Sequence, residues 1–179
     1  MTRRFVPDYC FLSYRDLSCD FIREHSIRAV VLDIDNTLLP YELDTPDEEL
    51  LEWFSSLEEL GVKIAFVSNN KKERVMHFNE KLQYVAFWSS WKPFKFKIER
   101  ALKLLGEGKE NACLMGDQIW TDVVGGHNAG LKVIVVPPIK DKTDPFTKLK
   151  RFFEKPFLKK YRKEHPESYE SEIWSRWKL

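Results

Sequence analysis

Cysteine is scarce and scattered in this chain of 179 residues: Cys10, Cys19 and Cys113 share no short spacing. An odd, dispersed set argues against a disulfide framework or a thiolate metal site and fits a reducing compartment. Long apolar runs are missing too, and no window approaches the roughly 20 apolar residues that a membrane span needs. Arg3 and Arg4 are not followed by the apolar core of a secretory leader. The expectation is a cytoplasmic protein whose contact with a membrane is peripheral, at the inner face. An excess of one charge is also lacking, because 29 Lys and Arg face 28 Asp and Glu for a net +1. Whole-chain charge therefore names no partner. No recognisable nucleic-acid module is present, so no nucleic-acid partner is expected.

What remains is an ordinary globular balance, 43% hydrophobic and 32% charged, in a length suited to one domain with appended material. Apolar runs at 28–33, 63–67, 84–88, 111–115 and 132–136 read as strands. Between them, residues 47–60, 71–82, 94–105 and 121–129 carry helical spacing; Leu50, Phe54, Leu57 and Leu60 form one stripe, and Gly61, Gly106 and Gly130 mark stops. Such alternation predicts an α/β fold: a Rossmann-like parallel sheet of five strands with helices on both faces. Residues 1–139 are expected to form this domain, 140–163 a basic helical segment, and 164–179 an acidic, Trp-bearing extension.

Ligands of such sheets bind beyond the carboxyl ends of the strands, and polar residues gather there. The first strand ends in Asp33-Ile34-Asp35-Asn36-Thr37 and the second in Ser68-Asn69-Asn70. The third is followed by Lys92-Pro93, and the fourth by Gly116-Asp117 with Asp122 five residues on. Asp33 and Asp35 project to the same side of a strand end, and Asp117 joins them from a neighbouring strand. Ionised together, they require a cation. With no Cys or His among them, the set suits a hard ion such as Mg2+. Lys92 would add a fixed positive charge, while the Ser68 hydroxyl and nearby backbone N–H groups would hold phosphate oxygens. Lys95 and Lys97 lie on the same approach, and Pro93 favours Lys92. Thr37 either bonds phosphate or braces its loop. Trp88, Trp91 and Trp120 flank the motifs and line an entrance or pack in the core; His25, His77 and His127 have no evident ligand role.

The constellation over residues 28–136 resembles the haloacid dehalogenase (HAD) phosphohydrolases. DIDNT at 33–37 looks like the family's first motif, Ser68 in VSNN its second, Lys92 in WKP its third, and GDQIWTD at 116–122 its fourth. The resemblance implies that Asp33 attacks phosphorus to give an aspartyl-phosphate, and that Asp35 serves as general acid and then general base. It further implies that Mg2+ is held by Asp33, the Asp35 backbone carbonyl and Asp117. Asp122 would support the metal's waters or orient Lys92, and the Asn69 backbone N–H would meet the phosphate. Asp at the second motif position favours phosphate esters over dehalogenation.

The 35 positions from Asp33 to Ser68 and the 24 from Ser68 to Lys92 leave no room for an inserted cap domain. An open site suits a substrate whose bulk stays outside. From Lys140 to Lys163, ten basic residues face three acidic ones, and Phe146, Leu149, Phe153 and Phe157 recur at three- and four-residue steps. A basic face beside an aromatic face is the pattern of a helix lying on anionic lipid through 146–163, or of a helix packed on the domain with its lysines in water. Pro156 is expected to kink or split it. Within the superfamily the chain resembles the YqeG-like group of small class III phosphatases, through LDIDNTLLPYE, VSNNKKERV, WKP, GDQIWTDVVGG and the basic tail. That resemblance implies phosphatidylglycerophosphate as the phospholipid substrate. A soluble phosphatase for a sugar phosphate or nucleotide, and a binding protein with a vestigial site, are the other readings. The sequence leaves oligomeric state open.

Overall fold

The computed structural model describes residues 2–140, 145–166 and 175–177. Its strands are β1 (Tyr9–Cys10), β2 (Ala29–Leu32), β3 (Lys63–Val67), β4 (Val85–Phe87), β5 (Ala112–Gly116) and β6 (Lys132–Val135). All pairings are parallel, in the order β1-β6-β5-β2-β3-β4. Six strands replace the five expected. The sixth, β1, is too short for an alternation pattern to register; it is held by pairing with β6, Tyr9 opposite Ile134 and Cys10 opposite Val135. Its outer side is not left open, because the Cys10 N–H donates to the Tyr161 hydroxyl at 3.3 Å.

Successive residues of β2 serve opposite faces, as a period of two requires. Val30 and Leu32 join a core with Leu50, Phe54 and Leu57 of α2 (Glu48–Glu59), Ile22 of α1 (Cys19–Glu24), and Val75 and Phe78 of α3 (Lys72–Phe78). Ala29 and Val31 join the other core, with Ile98 and Ala101 of α4 (Phe96–Leu105), Ala129 of α5 (Val124–Ala129), and Leu158 and Tyr161 of α6 (Pro145–Glu164). Local chemistry sets the helix ends. The Asp47 carboxylate accepts the Leu50 N–H at 2.9 Å to start α2, and Gly106 at φ 69° closes α4. α3 is shorter than its periodicity suggests. The Asn79 amide brackets Tyr84, donating to its carbonyl at 2.8 Å and accepting its N–H at 3.0 Å, and so turns the chain into β4.

From β2 the chain steps outward through β3 to β4, then returns to place β5 on the other side of β2 and β6 beyond it. The order therefore reverses between β2 and β5, and the crevice at their carboxyl ends is the binding position of doubly wound sheets.

The basic segment α6 packs on this domain. Leu158 and Tyr161 are buried, and Phe157 stacks on Phe5 with ring centroids 4.9 Å apart while meeting Trp120 edge-on. Leu149, Phe152 and Phe153 face outward. The helix is not split at Pro156. The carbonyl deprived of a partner there is that of Phe152, whose residue is 62% exposed and open to water. Most of the extension after 164, including Trp174, lies outside the described residues; Trp177 is buried in the α6-side core.

His127 ties the N-terminal segment to α5. One ring nitrogen meets the Arg4 carbonyl at 2.9 Å and the other the Asp8 carboxylate at 3.1 Å, both acceptors, so the imidazolium satisfies both. Burial alone would lower its pKa, but the bonds to Asp8 and Arg4 raise it above the ordinary 6.5. A raised folded-state value stabilises fully below the unfolded value and is lost as pH rises through the folded one. The stability difference between wild type and His127→Gln, measured by urea titration, should be largest between about pH 5 and 6.5 and shrink as pH rises above 6.5.

Candidate active site

Asp33 stands at the carboxyl end of β2, its N–H bonded to the Met115 carbonyl of β5 at 2.9 Å. The following loop closes on itself: Leu38 N–H donates to Ile34, and Asn36 N–H to the Leu39 carbonyl at 2.8 Å. Asn36 takes φ 63°, a left-handed turn that asparagine tolerates better than most residues. This turn sends Asp35 toward β3 and α3. There Arg74 grips one of its oxygens with Nε at 3.0 Å and Nη2 at 2.9 Å, and Asn70 donates to the other at 2.9 Å. Thr37 goes elsewhere. It is buried and lines a second cavity behind the loop, with Leu38, Pro40 and Pro137, rather than the crevice holding Asp33.

The Lys92 ammonium lies between two carboxylates, 2.7 Å from Asp33 Oδ1 and 2.6 Å from Asp122 Oδ1, with its side chain 2% exposed. Lys95 pairs instead with Glu99, and Lys97 donates to the Trp88 and Ser89 carbonyls. A cis Lys92–Pro93 bond follows the lysine. The Asn69 side chain clasps the Lys92 backbone: Oδ1 accepts its N–H at 2.7 Å, and Nδ2 donates to its carbonyl at 3.2 Å. The same Oδ1 receives the Ser90 hydroxyl. Ser68 is buried beside them, and its Oγ accepts the Asn70 N–H at 3.0 Å, leaving its own proton to donate. Trp91 takes φ 57° and is exposed, as are Phe94 and Phe96; Trp88 and Trp120 pack inward.

Asp117 and Asp122 follow β5. Asp122 Oδ2 accepts the Gln118 N–H at 3.0 Å, and the carboxylate tucks under Gly116, where an added Cβ would sit 2.3 Å from Asp122 Cγ. Oxygens of Asp33, Asp117 and Asp122 all lie within 4.8 Å of one another. The Asp35 carboxylate takes no part in this cluster; the ligand expected from Asp35 is its backbone carbonyl, and Asp122 is the third carboxylate of the group.

Two residues of the basic tail enter here. Arg151 of α6 donates to the Asp117 carbonyl at 2.6 Å, to the Asp117 carboxylate, and to Glu154 at 3.0 Å. Glu154 accepts the Ile119 N–H at 2.9 Å with its other oxygen. Sequence reasoning missed both. The available signal was Glu154, one acid amid a run of bases at the i+3 position from Arg151.

Burial holds the Asp33 carboxyl well above its ordinary value, and repulsion from Asp122 and Asp117 adds to the rise against the pull of Lys92. Asp117 is pushed up to about 6 and Glu154 to about 7, in both cases by burial more than Arg151 offsets. Burial would lower Lys92, but Asp122 and Asp33 together raise it. Four floor carboxylates (Asp33, Asp117, Asp122 and Glu154) thus meet the Lys92 ammonium and the Arg151 guanidinium. Asp117 Oδ1 is buried without a hydrogen-bond partner among the described residues, an oxygen left for a cation. The all-oxygen set fits a hard divalent cation, with Asp33, Asp117 and Asp122 as its carboxylates.

Above this floor opens a cavity of about 470 Å³, walled by Asp33, Asp35, Ser68, Asn69 and Lys92 from the sheet, Tyr41 from the loop after β2, and Lys150, Arg151 and Glu154 from α6.

Residues 91–147 match the HAD hydrolase-like family model. The Bacillus subtilis (strain 168) protein named probable phosphatase YqeG is 30% identical over 154 residues, covering 86% of this chain and 90% of that one. The chain belongs to the YqeG-like phosphatases of the HAD superfamily. Among solved structures, CbbY from Rhodobacter sphaeroides in complex with phosphate aligns with TM-score 0.52 and 13% identity over 67% of this phosphatase and 90% of that chain. The cobalt-bound form of the deoxy-D-mannose-octulosonate 8-phosphate phosphatase from Haemophilus influenzae aligns with TM-score 0.50 and 14% identity over 76% and 90%. At these identities they share the fold.

Lys92→Met would leave two buried carboxylates facing each other and should destabilise the metal-free phosphatase by about 3–5 kcal/mol in urea titrations. Asn69→Ala, which frees the Lys92 backbone but keeps its charge, should lower kcat/KM for p-nitrophenyl phosphate by about 10²-fold.

Proposed function

We propose that this phosphatase hydrolyses phosphomonoesters with Mg2+ through an aspartyl-phosphate on Asp33, and that its substrate is phosphatidylglycerophosphate, converted to phosphatidylglycerol at a membrane surface. The observation carrying the chemistry is the buried Lys92 ammonium on Asp33 Oδ1, beside the Asp117 and Asp122 carboxylates. Held on one oxygen, Asp33 presents the other to phosphorus. Its attack forms an acyl-phosphate bond as the ester P–O bond breaks, and Asp35 delivers a proton to the departing alkoxide. Asp35 then takes a proton from water, whose oxygen attacks phosphorus, releases phosphate and restores the Asp33 carboxylate. Arg74 holds Asp35 by Oδ1 alone, so Oδ2, which accepts one bond from Asn70, keeps a lone pair for the proton it carries to the leaving group. Ser68 and the Asn69 N–H serve the phosphate oxygens; the Thr37 hydroxyl, buried without a hydrogen-bond partner among the described residues, makes no bond that braces the loop. When bound, Mg2+ screens Asp33 from the phosphate dianion and favours its ionised form.

The lipid assignment is supported by apolar groups exposed on the segments that carry Lys92 and Arg151. Trp91, Phe94 and Phe96 beside Lys92, and Leu149, Phe152 and Phe153 beside Arg151, are each more than half exposed. Lys95, Lys148 and Lys159 are exposed on the same segments. Aromatic and basic groups together suit an anionic headgroup layer. Among the described residues no helix is long and apolar enough to cross a membrane, so contact through 146–163 would be peripheral.

Phosphate release from phosphatidylglycerophosphate in mixed micelles with Mg2+ should exceed that from soluble sugar phosphates. Turnover confined to soluble esters would discard the lipid, and no turnover on any ester would discard catalysis. Asp33→Asn should abolish turnover with the fold intact by circular dichroism. Asp35→Asn should slow it by roughly 10²–10⁴-fold while sparing phosphate binding.

A further inference from the structure

The Arg151–Glu154 pair occupies an unusual place: it comes from the last helix, is nearly buried, and spends its bonds on the loop that carries Asp117. Arg151 takes both the carbonyl and the carboxylate of Asp117 in one planar fork, and Glu154 takes the Ile119 N–H two residues on. Glu154 also steadies the guanidinium through Nη1 at 3.0 Å. The loop is thereby gripped on either side of Gln118. One Asp117 oxygen is committed to Arg151, while Oδ1 remains buried without a hydrogen bond, in the group formed with Asp33 and Asp122. A carboxylate with one oxygen pinned and the other presented is oriented before any ion arrives.

We propose that Arg151 and Glu154 are positioning residues for the metal site, and that α6 docking and Mg2+ binding are thermodynamically linked. The inference rests on the reading that Asp33 and Asp117 hold Mg2+. Two effects of Arg151 oppose each other. Its charge repels a cation, and its fork fixes the ligand. Burial strengthens both; the geometry favours the second, because without the fork the Asp117 carbonyl loses its partner and the carboxylate is free to turn away. Linkage is reciprocal, so an ion that needs Asp117 in this orientation must in turn hold α6 against the domain. α6 then works as a gate on metal occupancy supplied by the tail.

Isothermal titration of the EDTA-stripped full chain with MgCl2 tests this. Arg151→Gln should weaken Mg2+ binding by about 10–100-fold. Arg151→Lys, which restores the charge without the fork, should recover less than half of that loss on a logarithmic scale. Unchanged or tighter binding by Arg151→Gln, or full recovery by Arg151→Lys, overturns the inference. A merely structural role would lower the metal-free melting temperature and leave the Mg2+ affinity unmoved. A second measurement needs no substitution in α6. Trypsin cleavage at the exposed Lys148, Lys159 and Lys163 should slow on adding MgCl2 to the wild type but not to Asp117→Asn. Equal cleavage with and without MgCl2 in the wild type overturns the linkage. Wild type that takes up no Mg2+ at all removes the metal reading as well, whereas wild type that binds while Arg151→Gln binds equally removes this inference alone.

Discussion

An ammonium group shut away from water between Asp33 and Asp122 sets the terms for everything around it. Two carboxylates this close and this buried repel strongly in a low-dielectric interior, and desolvating three charges carries a cost of several kcal/mol per ion that only near-ideal geometry offsets. The neighbourhood supplies that geometry by immobilising backbone. Asn69 brackets the lysine, Lys97 draws in the Trp88 and Ser89 carbonyls, and Gly116 leaves the space in which Asp122 lies. Each contact is ordinary alone; together they keep one side chain in one rotamer.

The sheet explains why residues 59 positions apart meet. β2 lies between β3 and β5, so loops from three adjacent strands open onto one crevice, and the long β4 loop crosses to reach it. Asp35, carried off by the Asn36 turn to Arg74, faces the cavity from the β3 side, while Asp117 and Asp122 underlie it from β5. The two carboxylates of the first loop, only two positions apart, therefore live in different electrostatic settings: Asp33 among acids and a lysine, Asp35 on an arginine and an amide.

Much of this was legible in the residues. β2 to β6 are short, mostly apolar runs, and their helices carry three- and four-residue spacing, so the alternation and the strand ends bearing Asp33, Ser68, Lys92 and Asp117 stand out on inspection. Tyr9–Cys10 does not, because two residues show no period and its pairing with β6 depends on contacts more than 120 positions away. The aromatic stripe of α6 divides between roles: Phe157 packs inward whereas Leu149 and Phe153 face out, a division that three- and four-residue spacing does not report. Arg151 could not be singled out among its basic neighbours. What distinguishes it is the Asp117 carbonyl opposite, a partner that periodicity cannot report. Asn69 illustrates the same limit, since its side chain serves Lys92 through a loop closed by tertiary contacts.

The placement of α6 after the last strand has a consequence for biosynthesis. A chain emerging from the ribosome can pair β2, β3, β5 and β6 and bring Asp33, Lys92 and Asp122 together before residue 151 is outside the exit tunnel. During that interval the Asp117 carboxylate lacks its guanidinium and the Ile119 amide lacks its acceptor. Until α6 docks, the nascent pocket is therefore acidic and unlatched, and the distance from codon 117 to codon 154 sets the length of that interval.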